Sequence, residues 1–228
     1  MAVDFQAIRT ENLDWLTSRG FDVAAWLPTL RSAIQGLRPT HEIAARLMAL
    51  DVVFSWVSAP EAMVATEKLR NAAQHNDLER SMTAEELEMF RQDRPAAHHA
   101  HVDTVGWKLE NMWGLAWMLG FEREPPFDGA MIDTETTRSI IYGMLPKLGE
   151  PVDVLVQRAK VRSFEEAVRL EDRFYCCHHA VRSAQLGGST VPPGFHPIAN
   201  GGVIHERRHA LTWSLSPGVH WNKTDLST

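Results

Sequence analysis

The chain has 228 residues, 44% of them apolar, with 23 Lys and Arg against 29 Asp and Glu for a formal charge of -6. That length and apolar share supply a sizeable core without disulfide or metal staples, while the acidic balance lacks the attraction to phosphate that drives nucleic-acid binding. The longest apolar run, Trp113 to Phe121, has nine residues where a bilayer-spanning helix needs about 20, so neither nucleic acid nor membrane is an expected partner.

In chain order, the N-terminal MAVDFQAIRTENLDW shows no basic segment followed by an apolar one, so a cytoplasmic location is expected. Phe5, Ile8, Leu13 and Leu16 fit one face of a helix from Asp4 to Arg19, stopped by Gly20. A short helix broken at Pro28 follows. Thr40 is suited to cap a helix that carries Ile43, Leu47, Leu50 and Phe54 to the core. Pro60, suited to a first helical position, opens a helix through Met63, Val64 and Leu69 to about Ala73. Thr83 with Glu86 forms a capping box for a short helix ending at Phe90.

After Pro95, the passage HHAHVD reads as a solvated opening to a central helix, Val105 to Leu119, which stops at Gly120. Residues 121 to 132 contain Pro125, Pro126 and Gly129 and read as a loop, after which Asp133 can cap a helix ending near Pro146. Residues 152 to 161 fit either a short strand or a helix. Ser163 and Glu166 form a second capping box, opening a long helix to Leu186. Its adjacent Cys176 and Cys177 are read as reduced thiols, because a bridge between neighbours closes a strained ring. With three prolines and three glycines, residues 189 to 202 read as irregular, and a last helix, Val203 to Leu215, ends at Pro217. No fixed repeat occurs. The expected fold is predominantly α: a single-domain, multi-helix orthogonal bundle over residues 1 to 228 with few or no strands.

Three segments, WKLENMWGLAWMLG at 107 to 120, DRFYCCHHAVRSAQL at 172 to 186 and HERRHALTW at 205 to 213 followed by Trp221, together resemble the bacterial family known as domain of unknown function 4272. The family's run is a tryptophan-rich helix with a Leu-Gly stop, a charged aromatic helix, and an E-R-x-x-A-L-x-W helix. Trp221, Asp225 and Thr228 match its ending loosely. The resemblance covers the chain from about residue 80 and implies a cytosolic helical protein without implying a reaction. In the last helix it rests on Glu206, Arg207, Ala210, Leu211 and Trp213, and not on His205.

His205, Glu206 and His209 also form an H-E-x-x-H match, the spacing with which one helix presents two zinc ligands and a general base. A third ligand then has to come from His98, His99, His101, Asp103, His178, His179, His220 or Asp225. Neighbouring residues diverge by 100° around a helix, which argues against both the HHAHVD and the Cys176-Cys177-His178-His179 runs as metal sites. No catalytic residue is assigned and no cofactor is expected, with zinc on His205 and His209 as the alternative.

Charged residues that share faces with large rings carry more information. Glu110 lies on the face of Trp113 and Trp117, and Glu206 on that of His209, Ala210 and Trp213. An acid turned inward needs a cation or several donors, so Arg173, Arg182 and Arg207 are the expected partners in a polar network, with Trp107, Trp113, Trp117 and Trp213 as its aromatic surround. Three functions follow: a non-enzymatic module for a protein or small-molecule ligand, a zinc-dependent hydrolase using HERRH, or, as the weakest reading, a metal-free enzyme whose pocket contains Glu110, Arg182 and Glu206.

Overall fold

The computed structural model describes residues 3–228 and, among them, ten α-helices and no strand. The chain gathers into two compact units. The first comprises the chain up to Arg38, Glu124–Met131 and Arg162–Thr228; the second comprises Pro39–Arg123 and Ile132–Val161.

The first unit is built on three helices: α1 (Phe5–Thr17), α9 (Phe164–Gln185) and α10 (Ala199–Ser214), with α9 packed against both others. Asp4 caps α1 through the N–H groups of Gln6 and Ala7, and Gly20 takes the left-handed conformation that ends it. The Ser163–Glu166 capping box opens α9 as expected. Acids in its first turn and Arg182 in its last complement the helix dipole. The helix expected around Pro28 is instead irregular chain leading into a 3-10 turn, Leu30–Ser32. There the buried Arg9 guanidinium takes the carbonyls of Leu27 and Pro28, which a helix would have used itself.

Helix α10 starts at Ala199, four residues before the expected Val203. The glycines that looked like punctuation belong to the helix. A Cβ at Gly201 would lie 2.7 Å from the Val181 side chain, so the glycine admits close packing of α10 on α9.

In the second unit, α2 (Thr40–Ser58) is buried nearly all round. Around it pack α3 (Thr66–His75), α4 (Ala84–Arg91), α5 (Arg94–Val105), α6 (Trp107–Met118), α8 (Val152–Arg158) and the 3-10 turn Leu78–Ser81. The ambiguous stretch 152–161 thus begins as a helix. Thr40 is the first residue of α2 rather than its cap, a place held by Pro39 without a side-chain bond. HHAHVD lies inside α5, with Pro95 in its first turn, and does not open α6. Gly120, at φ +81°, ends the central helix where a Cβ would lie 2.1 Å from the Lys160 carbonyl oxygen, so no other residue fits.

The capping box of Thr83 and Glu86 opens α4, and Asp133 caps α7 (Thr134–Arg138). That helix continues as a π-helical segment, Ser139–Met144. At Pro60 the expected helix does not form. Residues 61–64 turn, and the Glu61 carboxylate accepts from the Thr66 N–H and hydroxyl, starting α3 there instead. No helix of the described residues is long and apolar enough to cross a membrane.

Candidate functional site

The C-terminal half of α2 supplies the floor of a cleft in the second unit. Asp51 interrupts the apolar run Leu47–Val53, and Phe54, Ser55 and Ser58 follow it along one side of the helix. Past the end of α2, Arg94 gathers the turn. Its guanidinium donates to the carbonyls of Trp56, Ser55, Val64 and Ala59 and pairs with Glu61 at 2.7 Å. Opposite, Asn76 at the end of α3 accepts from the Val152 N–H and donates to the Glu150 carbonyl, fixing where the loop after the π-helical segment returns.

These elements border a half-open cleft of about 840 Å³, lined by Asp51, Phe54, Met63, Lys68, Tyr142 and Leu148 among others, a volume suited to a small organic ligand. Three large apolar side chains stand exposed at its edge: Met63 by 70%, Tyr142 by 74% and Leu148 by 40%. Tyr142 is presented by the π-helical segment, an irregularity that recurs at functional sites.

Asp51 is the chemically distinctive group of the cleft. Its Oδ1 is buried and has no hydrogen-bond partner among the described residues. Burial pushes its carboxyl up to about 7, because removal from water disfavours the charged form. Folded, the acid retains a proton that the unfolded chain releases above its ordinary value of 3.8. Asp51 therefore costs stability increasingly as pH rises from about 4 to about 7, and fully above that. Asp51→Asn is expected to raise the thermal midpoint at pH 8 by about 3–10 °C, equivalent to ~1–3 kcal/mol, with a smaller gain at pH 5. An unchanged or lower midpoint at pH 8 would show the carboxyl to be well solvated.

A second hollow, about 610 Å³, lies in the first unit and is lined by Trp15, Arg19, Phe21, Phe127, Phe195 and neighbouring prolines. Its charges are already engaged. Arg19 stacks on Trp15 at 3.6 Å, Glu124 pairs with Arg173 at 2.6 Å, and Asp128 accepts from the Ala130 N–H. A ligand would meet an apolar wall here and no group in want of a partner.

The residues singled out by sequence have distinct places. Glu110 is fully buried and accepts from the Ile132 N–H at 2.7 Å. Arg207, also fully buried, donates to the carbonyls of Pro126 and Ala130 and so anchors the 124–131 loop. Arg173 bonds Asn12 and Glu124, whereas Arg182 is exposed and bonds Gln185. Glu206 is half-buried beside His205. Trp113 and Trp117 are buried in the second unit, the first donating its indole N–H to the Arg123 carbonyl, while Trp107 is half-buried. Trp213 lies beneath the Arg38 guanidinium at 3.9 Å and beside Trp221.

The rings of His205 and His209 have centroids 6.3 Å apart. His209 directs Nε2 to the Trp221 carbonyl at 3.0 Å, and His205 packs against His178. His178 is held far below its ordinary range, at about 3, by burial and by the Arg208 guanidinium on its Nδ1. Among the described residues no three His, Cys, Asp or Glu side chains are grouped to hold a metal ion. Cys176 and Cys177 are free and buried, and burial pushes the first thiol up to about 12.

Asp51 was not among the residues the sequence reading selected, although a lone acid within LMALDVV was a visible signal. Also missed were Arg9 with Asp172, and Arg208 with Glu171, both buried pairs.

A family described as Domain of unknown function (DUF4272) matches residues 9–224 of the chain. Neither a curated protein nor a solved structure matches it.

Proposed function

The chain belongs to the family described as Domain of unknown function (DUF4272), which brings no reaction with it, and we propose that it is a non-enzymatic binding module whose ligand is a small molecule with an apolar body, held in the cleft of the second unit. The observation that carries this reading is the combination of a half-open cleft of about 840 Å³ with a carboxyl on its floor whose Oδ1 has no partner among the described residues. An acid left without partners costs stability, and such a cost is commonly retained where a ligand supplies what is missing. The exposed Met63, Tyr142 and Leu148 side chains give an apolar body a surface to cover. A cytoplasmic setting suits the two free thiols of α9.

The test is titration with Nile red, a neutral apolar dye whose emission rises on leaving water. Wild type is expected to bind it saturably at one site. Ser55→Trp, which places an indole on a residue lining the cleft, is expected to abolish binding while keeping a cooperative thermal unfolding transition that shows the variant is folded. Unchanged binding in Ser55→Trp would remove the cleft from consideration.

A further inference from the structure

The same cleft carries information about what its ligand must present. Its polar side chains are unevenly distributed in kind. Asp51 projects from α2 with a buried oxygen that lacks any donor, whereas the two lysines that line the cleft, Lys68 and Lys147, are exposed. Neither lysine is within salt-bridge distance of Asp51, and no charged neighbour shifts its carboxyl, which responds to burial alone. Asp51 is half-buried, whereas the fully buried acids described here have donors supplied by the protein, Glu171 keeping one oxygen, Oε2, without a partner. Glu86 has Arg46 and Lys108, Asp172 has Arg9 and Asn12, Glu171 has Arg208 and Thr212, and Glu110 has the Ile132 N–H.

Asp51 differs from these in facing an open volume. The helix places it among Phe54 and aliphatic neighbours, where water replaces a lost partner poorly. Oδ1 is shut off from the cleft, so a ligand meets the carboxyl at Oδ2, and a bound group that both donates a hydrogen bond there and carries positive charge would hold the carboxylate ionised. A neutral donor would do only the first.

Resting on the reading of the cleft as a ligand site, we propose that its ligand is an organic cation: a primary amine on an apolar body, with Asp51 as the counter-ion for the ammonium and the surface around Phe54, Ile141, Tyr142 and Leu145 covering the body. The amine enters head first, since the carboxyl lies on the floor and the exposed lysines disfavour an ammonium left outside. No covalent step is involved.

The probes are 4-phenylbutylamine, 4-phenylbutanol and 4-phenylbutyrate, which share one apolar body and differ in the head group. Calorimetric titration of the full chain at pH 7.5 is expected to show the amine binding about 10- to 100-fold tighter than the alcohol, the range set by a charge-assisted hydrogen bond. The carboxylate is expected to bind most weakly. In Asp51→Asn the amine's advantage over the alcohol should be lost, because the amide oxygen still accepts a hydrogen bond from either head group but no longer offers a charge. Tyr142→Ala, at an exposed position with little bearing on folding, should weaken amine and alcohol alike.

An amine no tighter than the alcohol, a carboxylate tighter than both, or a preference for amine that survives Asp51→Asn would each overturn the assignment while leaving the cleft as a site for apolar ligands. Failure of all three probes and of Nile red to bind would remove the site itself, and the assignment with it.

Discussion

Asp172→Ala is expected to destabilise the first unit by ~3–5 kcal/mol, the cost of leaving a buried charge without its partner. Asp172 receives Arg9 Nη2 at 2.7 Å and Nε at 3.1 Å, and Asn12 adds a third donor; both charged residues are buried. Truncation strands the guanidinium inside α1 and α9 with only the Leu27 and Pro28 carbonyls to accept from it. Arg9→Met with Asp172→Leu removes both charges together and is expected to cost less than Asp172→Ala alone, since the stranded charge rather than the lost attraction dominates the single variant. Urea denaturation of the three proteins, wild type, Asp172→Ala and the double variant, checks this. A single variant as stable as wild type would mean that water reaches Arg9.

The second large effect is expected at Glu86. Its carboxylate accepts from Arg46 at 2.6 and 3.0 Å, from Lys108 at 2.7 Å and from the Thr83 N–H of its own capping box. Burial alone would raise this carboxyl, but the Arg46 guanidinium and the Lys108 ammonium outweigh it and hold the group at about 2, below its ordinary 4.5. The stability it contributes is therefore fully present above about pH 4.5 and is lost as pH falls toward about 2. Glu86→Gln is expected to cost ~3–5 kcal/mol at pH 7, because Arg46 stays buried without its counter-charge. The difference from wild type should shrink through that acid window. Urea titrations at pH 7 and pH 3 measure it, and a pH-independent difference would mean that Glu86 acts by packing alone.

Both networks show where sequence is informative. Helix starts at Thr83, Asp133 and Ser163 were legible because a cap and the amides it serves lie within three residues, whereas the first helix was legible from its apolar spacing and its cap at Asp4 was not read. The stop at Gly120 was legible for a similar reason. What failed was local reading of residues whose reason is distant. Gly201 and Gly202 resembled a loop, yet they lie within α10, and Gly201 allows that helix to approach Val181. Pro60 suggested a helix start that the side chain of Glu61 moves to Thr66.

The candidate site was less legible than the fold. Arg9 and Asp172 are 163 residues apart, and no periodicity relates them. Glu110 is buried, with 0% exposure, on the helical face it shares with Trp113 and Trp117, a placement that spacing alone makes readable. Attention to rings and histidines passed over Asp51, whose significance depends on an open volume formed by α2, α3 and the π-helical segment. Volume is a tertiary property. The sequence shows only that an acid interrupts an apolar helix.

The central claim is that this open volume binds a ligand, and it is tested most directly by locating a bound probe. Titrating Nile red into isotope-labelled protein and following amide resonances by NMR should perturb Asp51, Phe54, Ser55, Tyr142 and Leu148 together, with one saturation curve. Perturbations centred instead on Trp15, Phe21, Phe127 and Phe195, with the cleft residues unmoved, would contradict the account and place binding in the aromatic hollow of the first unit.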